Sequence, residues 1–345
     1  MDPRYARQIA LPGFGVAAQE RLAASRVLVI GAGGLGSSVI PALVAAGVGT
    51  VGIIDDDRVE LSNLHRQHIH GMADLGRSKV DSASASAAAL NPDARVTTFG
   101  TRLTSTNALA MFADFDLVLD GSDNFPTRYL ANDAAVLTGI PLVWGAVSQY
   151  GGQLGVSWGT TYRDLFPTPP PPGSVLSCEA GGVLPTTVGV IGALMATEAL
   201  KLLTGIGEPL VGRVTVFDGL SGDFRTIAYE KDPLAEPITE LIDYELFCGL
   251  AGTRSLDEGA TLLDVREPWE VDLVALPNAV HIPLGELDGR LDELDAQRPV
   301  IAYCHHGVRS ATAREILLAH GFAATHLEGG IDAWARDRDS TMARY

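Results

Sequence analysis

Three cysteines in 345 residues, Cys178, Cys248 and Cys304, are too scattered and odd in number for a disulfide framework. They also cannot supply the usual tetrahedral thiolate metal site. Cations are short as well: 25 Lys and Arg stand against 42 Asp and Glu, a formal net charge of −17. That balance lacks the clustered positive charge that general nucleic-acid binding needs. Long apolar runs are missing too. The longest, Val39 to Ile54, is interrupted by Pro41 and several glycines and falls short of the roughly 20 residues of a spanning helix. Nor do Met1 to Arg7 lead into a signal-like apolar segment. These absences set the expectation of a soluble, cytoplasmic protein with neither nucleic acid nor membrane among its partners.

What is present is the composition of a packed protein, 46% hydrophobic and 19% charged, on a chain long enough for two cores. From Arg26 onward short apolar runs alternate with helical stretches, which predicts a parallel sheet covered by helices. Strands are expected at Val27 to Ile30, Thr50 to Ile54, Leu117 to Leu119, Leu142 to Trp144, Gln153 to Trp158, Val214 to Phe217 and Thr226 to Tyr229. Helices are expected over Leu35 to Ala46, Lys79 to Leu90, Thr127 to Thr138 and Gly189 to Leu203. Gly159 to Pro185 carries a run of prolines that predicts an extended, mobile crossover. The reading gives a first α/β domain over residues 1–230, a linker at 231–244 and a smaller α/β domain over 245–345. In the last, strands are expected at Thr261 to Val265, Val300 to Tyr303 and near Thr325 to Leu327, with a helix over Val308 to His320.

Gly31, Gly33 and Gly36 form a GxGxxG between a strand and a helix, where glycine lets backbone approach phosphate at a helix N-terminus. Asp55 closes the next strand, in place for ribose hydroxyls. A dinucleotide would fit this much equally well. Arg66 and Lys79 add two cations suited to a triphosphate, and Asp123 adds a hard oxygen donor suited to Mg2+, so the set favours ATP. Each residue alone has a plainer role: surface charge for Arg66 and Lys79, helix N-cap for Asp123, an ion pair for Arg7.

The glycine cluster, the Asp55 to Gln67 stretch, Lys79 and Ser122-Asp123-Asn124 together resemble the MoeB/ThiF family of ubiquitin-activating-enzyme-like adenylyltransferases over about Tyr5 to Tyr229. The resemblance implies a Rossmann-like, doubly wound fold. It also implies nucleotide contacts at Gly33, Gly34, Asp55, Ser62, Asn63, Leu64, His65, Arg66, Lys79, Asp123 and Asn124, with Asp123 holding Mg2+. Arg7 would reach the ATP of a partner subunit, so a homodimer is implied. The substrate would be the Gly-Gly C-terminus of a ubiquitin-like sulfur-carrier protein. Many members carry two zinc-binding CxxC pairs. Here those places read Thr161 to Asp164 and Asp232 to Pro237, so no structural zinc is expected. Cys178, in Ser177 to Gly182, resembles the family cysteine that attacks the acyl-adenylate or enters a mixed disulfide.

Cys304 follows an apolar strand and precedes a helix, where backbone amides can form a nest around an anion. Arg309 is read as positive charge at the same rim, favouring a thiolate and a persulfide. His305 and His306 are read as exposed loop residues and Cys248 as core. Phosphatase loops place one more residue between Cys and Arg than the four found here. With Leu263 to Glu267, His281 to Leu284 and Leu327 to Trp334, the segment looks like a rhodanese domain fused as in MoeZ-type proteins. Asp264 and Arg266 resemble rhodanese family positions but are explained as well by an ion pair that supports the fold. The combined expectation is adenylation of the carrier, followed by sulfur transfer from a Cys304 persulfide loaded by a donor such as a cysteine desulfurase or thiosulfate. Activation of a protein modifier and a non-catalytic scaffold are the alternatives.

Overall fold

The computed structural model describes residues 2–170, 181–248, 252–253, 256, 259–339 and 342. Cys178, Pro171 and Pro172 lie outside the described residues. The chain divides into two compact units, with the break in the later part of the chain between Ile242 and Asp243.

In the first unit, α1 (Ala6–Ile9) and α2 (Gly15–Ala24) lead into β1 (Arg26–Ile30), α3 (Gly34–Ala46) and β2 (Thr50–Ile54). Then come α4 (Lys79–Leu90), β3 (Arg95–Phe99), α5 (Ala108–Phe112), β4 (Leu117–Asp120), α6 (Phe125–Thr138) and β5 (Leu142–Ser148). The unit ends with β6 (Gly151–Ser157), α7 (Tyr162–Leu165), α8 (Pro185–Thr204), β7 (Arg213–Asp218) and β8 (Phe224–Ala228). The strands form one eight-stranded sheet in the order β3-β2-β1-β4-β5-β6-β7-β8. Strands β1 to β5 are parallel, and β4 is buried along its whole length because helices cover both faces. The last three strands run antiparallel, a departure from the expected parallel sheet. The cause is local: β5 and β6 are joined by Gln149 and Tyr150 alone, with Gln149 at φ 51°, and a two-residue hairpin can only reverse the chain. Helix α8 is long and apolar enough to cross a membrane, but its Val188, Ile191, Met195 and Ala199 are buried in the core beside β5 and β6. Because the chain leaves β1 in both directions across the sheet, the carboxyl ends of β1, β2 and β4 surround the switch point where α/β sheets bind ligands.

The second unit contains α9 (Tyr244–Phe247), β9 (Thr261–Asp264), α10 (Pro268–Leu273), β10 (Val280–His281), β11 (Val300–Tyr303), α11 (Val308–Ala319), β12 (Ala324–His326) and α12 (Gly330–Arg338). Its four strands are all parallel, in the order β10-β9-β11-β12. Period-two packing divides the central strand: Val300, Ala302 and the following Cys304 join the core with Leu263, Ile282 and Leu317. Ile301 and Tyr303 pack on the other face with Leu327 and Ile331. Cys304 therefore leaves the end of a wholly buried strand.

The segments read as lacking the zinc pairs are joined by hydrogen bonds. Thr161 caps α7, its N–H donating to Asp164 Oδ2 at 2.6 Å while its hydroxyl accepts from the Asp164 N–H at 3.3 Å. The other Asp164 oxygen accepts from the Asp232 N–H at 3.0 Å, so one carboxylate spans both segments. Arg163 donates twice to the buried Asp133 on α6, at 2.8 and 2.6 Å, and the Tyr162 ring meets Trp144 edge-on at 5.0 Å. Asp164→Ala removes two acceptor contacts and is expected to lower the unfolding free energy by about 2 kcal/mol in denaturant titration. EDTA should leave the wild-type midpoint in place; a lower midpoint in EDTA would show that a metal stabilises this region.

Candidate functional site

The glycine turn follows β1. Gly31 sits at φ +90°, a conformation that favours glycine, and a Cβ on Gly36 would fall 2.2 Å from the Gly31 carbonyl oxygen. Gly33 is the N-cap of α3, and a Cβ there would meet nothing nearer than the Gln67 amide at 3.6 Å. A Cβ on Gly34 would press against Val188 at 2.8 Å, and the one side chain in the turn, the Ala32 methyl, is buried. Helix α3 thus begins at this glycine turn, and the N–H groups of a helix's first turn are suited to an anion.

Asp55, at the end of β2, accepts from the Ala32 N–H and the Asp57 N–H, both at 2.8 Å. Burial raises its carboxyl pKa to about 6, with Asp57 adding to the rise and Lys79 opposing it. Lys79 opens α4 and is only 6% exposed, so it is not a solvated surface charge. Its Nζ donates to Asp57 Oδ2 at 2.7 Å. Burial works against the ammonium, but Asp55, Asp57 and Asp123 outweigh it and push the lysine pKa up. Asp123 follows β4 and is exposed. It is not the helix cap: Asn124 caps α6 by accepting from the Thr127 N–H at 2.9 Å. The structure therefore brings the glycine turn, Asp55, Lys79 and the Asp123 loop to one end of the sheet.

Between β2 and α4, Ser62 and His65 are exposed, Leu64 is half-buried and Asn63 is buried, its side-chain oxygen accepting from the Glu60 N–H at 3.3 Å. Arg66 is half-buried and donates to the Ser62 carbonyl at 3.2 Å. Arg7 is exposed on α1. Residues not singled out from the sequence complete the frame. Arg128 is buried against Asp120 at 3.3 Å and donates to the Ser122 and Gly145 carbonyls at 2.7 and 2.9 Å, while Asp120 accepts from the Ser122 N–H at 2.9 Å. This clamp fixes the loop that carries Asp123. His70 bridges the Ala32 carbonyl and the Ser82 hydroxyl, both at 2.8 Å. Neither residue belongs to a local motif, so only the tertiary fold reveals them.

Cys304 is 1% exposed, and its Sγ accepts from the Gly307 N–H at 3.1 Å, with the Ser310 hydroxyl at 3.5 Å. Gly307 caps α11 at φ 96°, and Gly330 packs so closely that a Cβ would lie 2.1 Å from the His305 carbonyl oxygen. Arg309 differs from the expectation. Its two terminal nitrogens meet both oxygens of Glu270 at 2.5 and 2.7 Å, an ion pair that leaves the rim less positive than the sequence suggests. Glu270 also accepts from the Glu267 N–H at 2.9 Å in a capping box on α10, and that E-x-x-E spacing was its one visible signal. His305 is buried, at 4% exposure, and stacks on the exposed His306 with ring centroids 3.8 Å apart, which corrects its reading as an exposed loop residue. Asp264 and Arg266 form a fully buried pair at 2.6 Å, and Cys248 is buried, as expected for both.

Comparison with known proteins follows the same division. The ThiF family matches residues 5–236 and the Rhodanese-like domain matches residues 253–337. A probable adenylyltransferase/sulfurtransferase MoeZ of Mycobacterium tuberculosis is 47% identical over 99% of this chain and 95% of its own. A sulfur carrier protein adenylyltransferase of Thermus thermophilus is 51% identical over 72% of this chain and 96% of its own. The adenylyltransferase and sulfurtransferase MOCS3 of Drosophila grimshawi is 40% identical over 99% and 86%. Among solved structures, E. coli MccB with MccA-N7isoASN aligns with a TM-score of 0.61 over 68% of this chain and 74% of that one, at 19% identity, a likeness of fold alone. The chain belongs to the ThiF family and carries a rhodanese-like domain, which makes it an enzyme of the adenylyltransferase and sulfurtransferase class.

Proposed function

We propose that residues 1–230 adenylate the C-terminal glycine of a ubiquitin-like sulfur-carrier protein, and that residues 245–345, joined by 231–244, deliver sulfur to it. The observation that carries this reading is the meeting of the glycine turn with Asp55, Lys79 and the Asp123 loop at the switch point of the sheet. Asp55 takes the ribose hydroxyls. Asn63, Arg66 and Lys79 hold the phosphates, with Ser62, Leu64, His65 and Asn124 lining the site. The carrier carboxylate attacks the α-phosphorus, the bond to the bridging oxygen breaks, and pyrophosphate leaves. No protein base is required, because the nucleophile is already an anion at neutral pH, so catalysis is alignment and charge neutralisation.

Asp123, an exposed carboxylate that is not consumed in capping, is the residue that fits Mg2+. Bound there, the ion would offset charge on the phosphates. Arg7 is exposed on a short N-terminal helix and is assigned to the ATP site of a second subunit, which makes the enzyme a homodimer. In the second domain the Gly307 N–H and the start of α11 stabilise negative charge on Cys304 sulfur. The terminal sulfur of a Cys304 persulfide, loaded by a cysteine desulfurase persulfide or thiosulfate, attacks the activated acyl carbon and displaces its leaving group. A thiol then attacks the Cys304 sulfur of the resulting acyl disulfide, the thiocarboxylate leaves, and a second thiol reduces the disulfide left on Cys304. Cys178 assists by taking the acyl group from AMP.

Three outcomes test this reading. Wild-type protein is expected to catalyse ATP–pyrophosphate exchange that depends on a Gly-Gly carrier, and Asp123→Ala should lose exchange while still binding ATP; exchange without carrier dependence would refute the substrate assignment. Mass spectrometry of the carrier terminus should find no thiocarboxylate with Cys304→Ala, and an undiminished yield would remove the rhodanese-like domain from the mechanism. The third concerns pH. Because Asp55 is raised to about 6, it protonates as pH falls through that value and stops accepting from ribose. Apparent ATP affinity should therefore drop on acidification through about 6 in wild type, whereas Asp55→Asn should be weak throughout and lack that component.

A further inference from the structure

Ala32 lies between two glycines of the turn, so nothing in the turn itself fixes its peptide groups. Its N–H is held by Asp55 at 2.8 Å. Its carbonyl is held from the other side by His70 Nε2, also at 2.8 Å. The remaining ring nitrogen, Nδ1, meets the Ser82 hydroxyl at 2.8 Å, and Ser82 lies on α4, three residues after Lys79. We propose that His70 is a positioning residue for ATP binding, tying the Ala32 carbonyl in the glycine turn to the helix that carries Lys79.

The proton assignments follow from the partners. A carbonyl only accepts, so Nε2 carries the hydrogen and donates it; in the neutral ring Nδ1 then accepts from the Ser82 hydroxyl. Burial pushes the His70 pKa down from 6.5 and Lys79 pushes it down further, while the Ala32 carbonyl and Asp74 pull it up; the net direction keeps the ring neutral. His70 is 6% exposed and Ser82 1%, so water does not replace either bond. A closed circuit results: Asp55 to Ala32, Ala32 to His70, His70 to Ser82, then along α4 to Lys79, whose ammonium faces Asp55 and Asp57. The two parts of the site that would meet the phosphates, the turn and Lys79, are held in register by one imidazole. Without it the Ala32 carbonyl is left buried and unpaired, the turn spreads over other conformations, and apparent affinity falls by the fraction of molecules in the competent one.

This inference rests on the ATP reading above, and one experiment separates the two. Calorimetry of the full-length protein with Mg2+ and a non-hydrolysable α,β-methylene ATP analogue should give Kd values about tenfold higher for His70→Ala and Ser82→Ala than for wild type, the size expected when a buried hydrogen bond is lost. His70→Gln, whose amide nitrogen can reach the Ala32 carbonyl, should recover most of the affinity, and His70→Asn should not. Were the ring only a satisfied core group, thermal stability would fall in these variants with Kd unchanged, and that result overturns the proposal. Should His70→Ala fail to fold, Ser82→Ala decides alone, since it removes a single buried oxygen. A wild-type protein that does not bind the analogue overturns the ATP reading instead.

Discussion

A half-buried carboxylate at the end of β2 must lean on its neighbours, and Asp55 leans on the Ala32 and Asp57 amides and on the buried Lys79 ammonium. The shape of the first site depends on this arrangement. Removing the negative charge would leave Lys79 surrounded by less compensation than its burial requires, and would release the Ala32 N–H from the glycine turn. The acidic surroundings also set the terms for a polyanionic ligand. Asp55, Asp57 and Asp123 stand near Lys79, with Asp56 beside the first two, so fixed negative charge exceeds positive around that ammonium, and added cations become a physical need rather than an accessory. The reading of Asp123 and Arg7 as sources or holders of such cations answers that need.

The two units solve one problem in the same way. Each runs a parallel strand, buried at its carboxyl end, into a turn that contains glycine and opens a helix directly after it. They differ in what fills the turn. In the first unit the turn carries no side chain larger than the buried Ala32 methyl; in the second, Cys304 occupies it and takes the Gly307 N–H directly.

Much of this was legible because the chemistry-bearing residues sit in contiguous motifs at strand ends. The spans Thr50–Ile54, Lys79–Leu90 and Val300–Tyr303 match the expected elements, and other boundaries shift by a few residues, as where α6 begins at Phe125 and α8 at Pro185. β3 was missed because Arg95–Phe99 is a half-exposed edge strand with two threonines and no apolar alternation. α12 was read as a motif without an assigned helix, since it is short and begins on glycine. His70 and Arg128 were illegible, and Glu270 showed only its E-x-x-E spacing, because each acts through partners on other elements. The charge of Arg309 was misjudged on the same account, since Glu270 lies 39 residues before it.

The burial of Cys304 beneath its own loop has a consequence for how sulfur is kept. A thiol with 1% of its surface open, hydrogen-bonded to Gly307 and packed among Leu263, Ala313 and Leu317, is poorly reached by small dissolved thiols. On the proposed reading, sulfane sulfur held on Cys304 would be screened from indiscriminate reduction by this packing. The domain would then serve as a guarded reservoir, with leakage limited by packing and delivery by encounter.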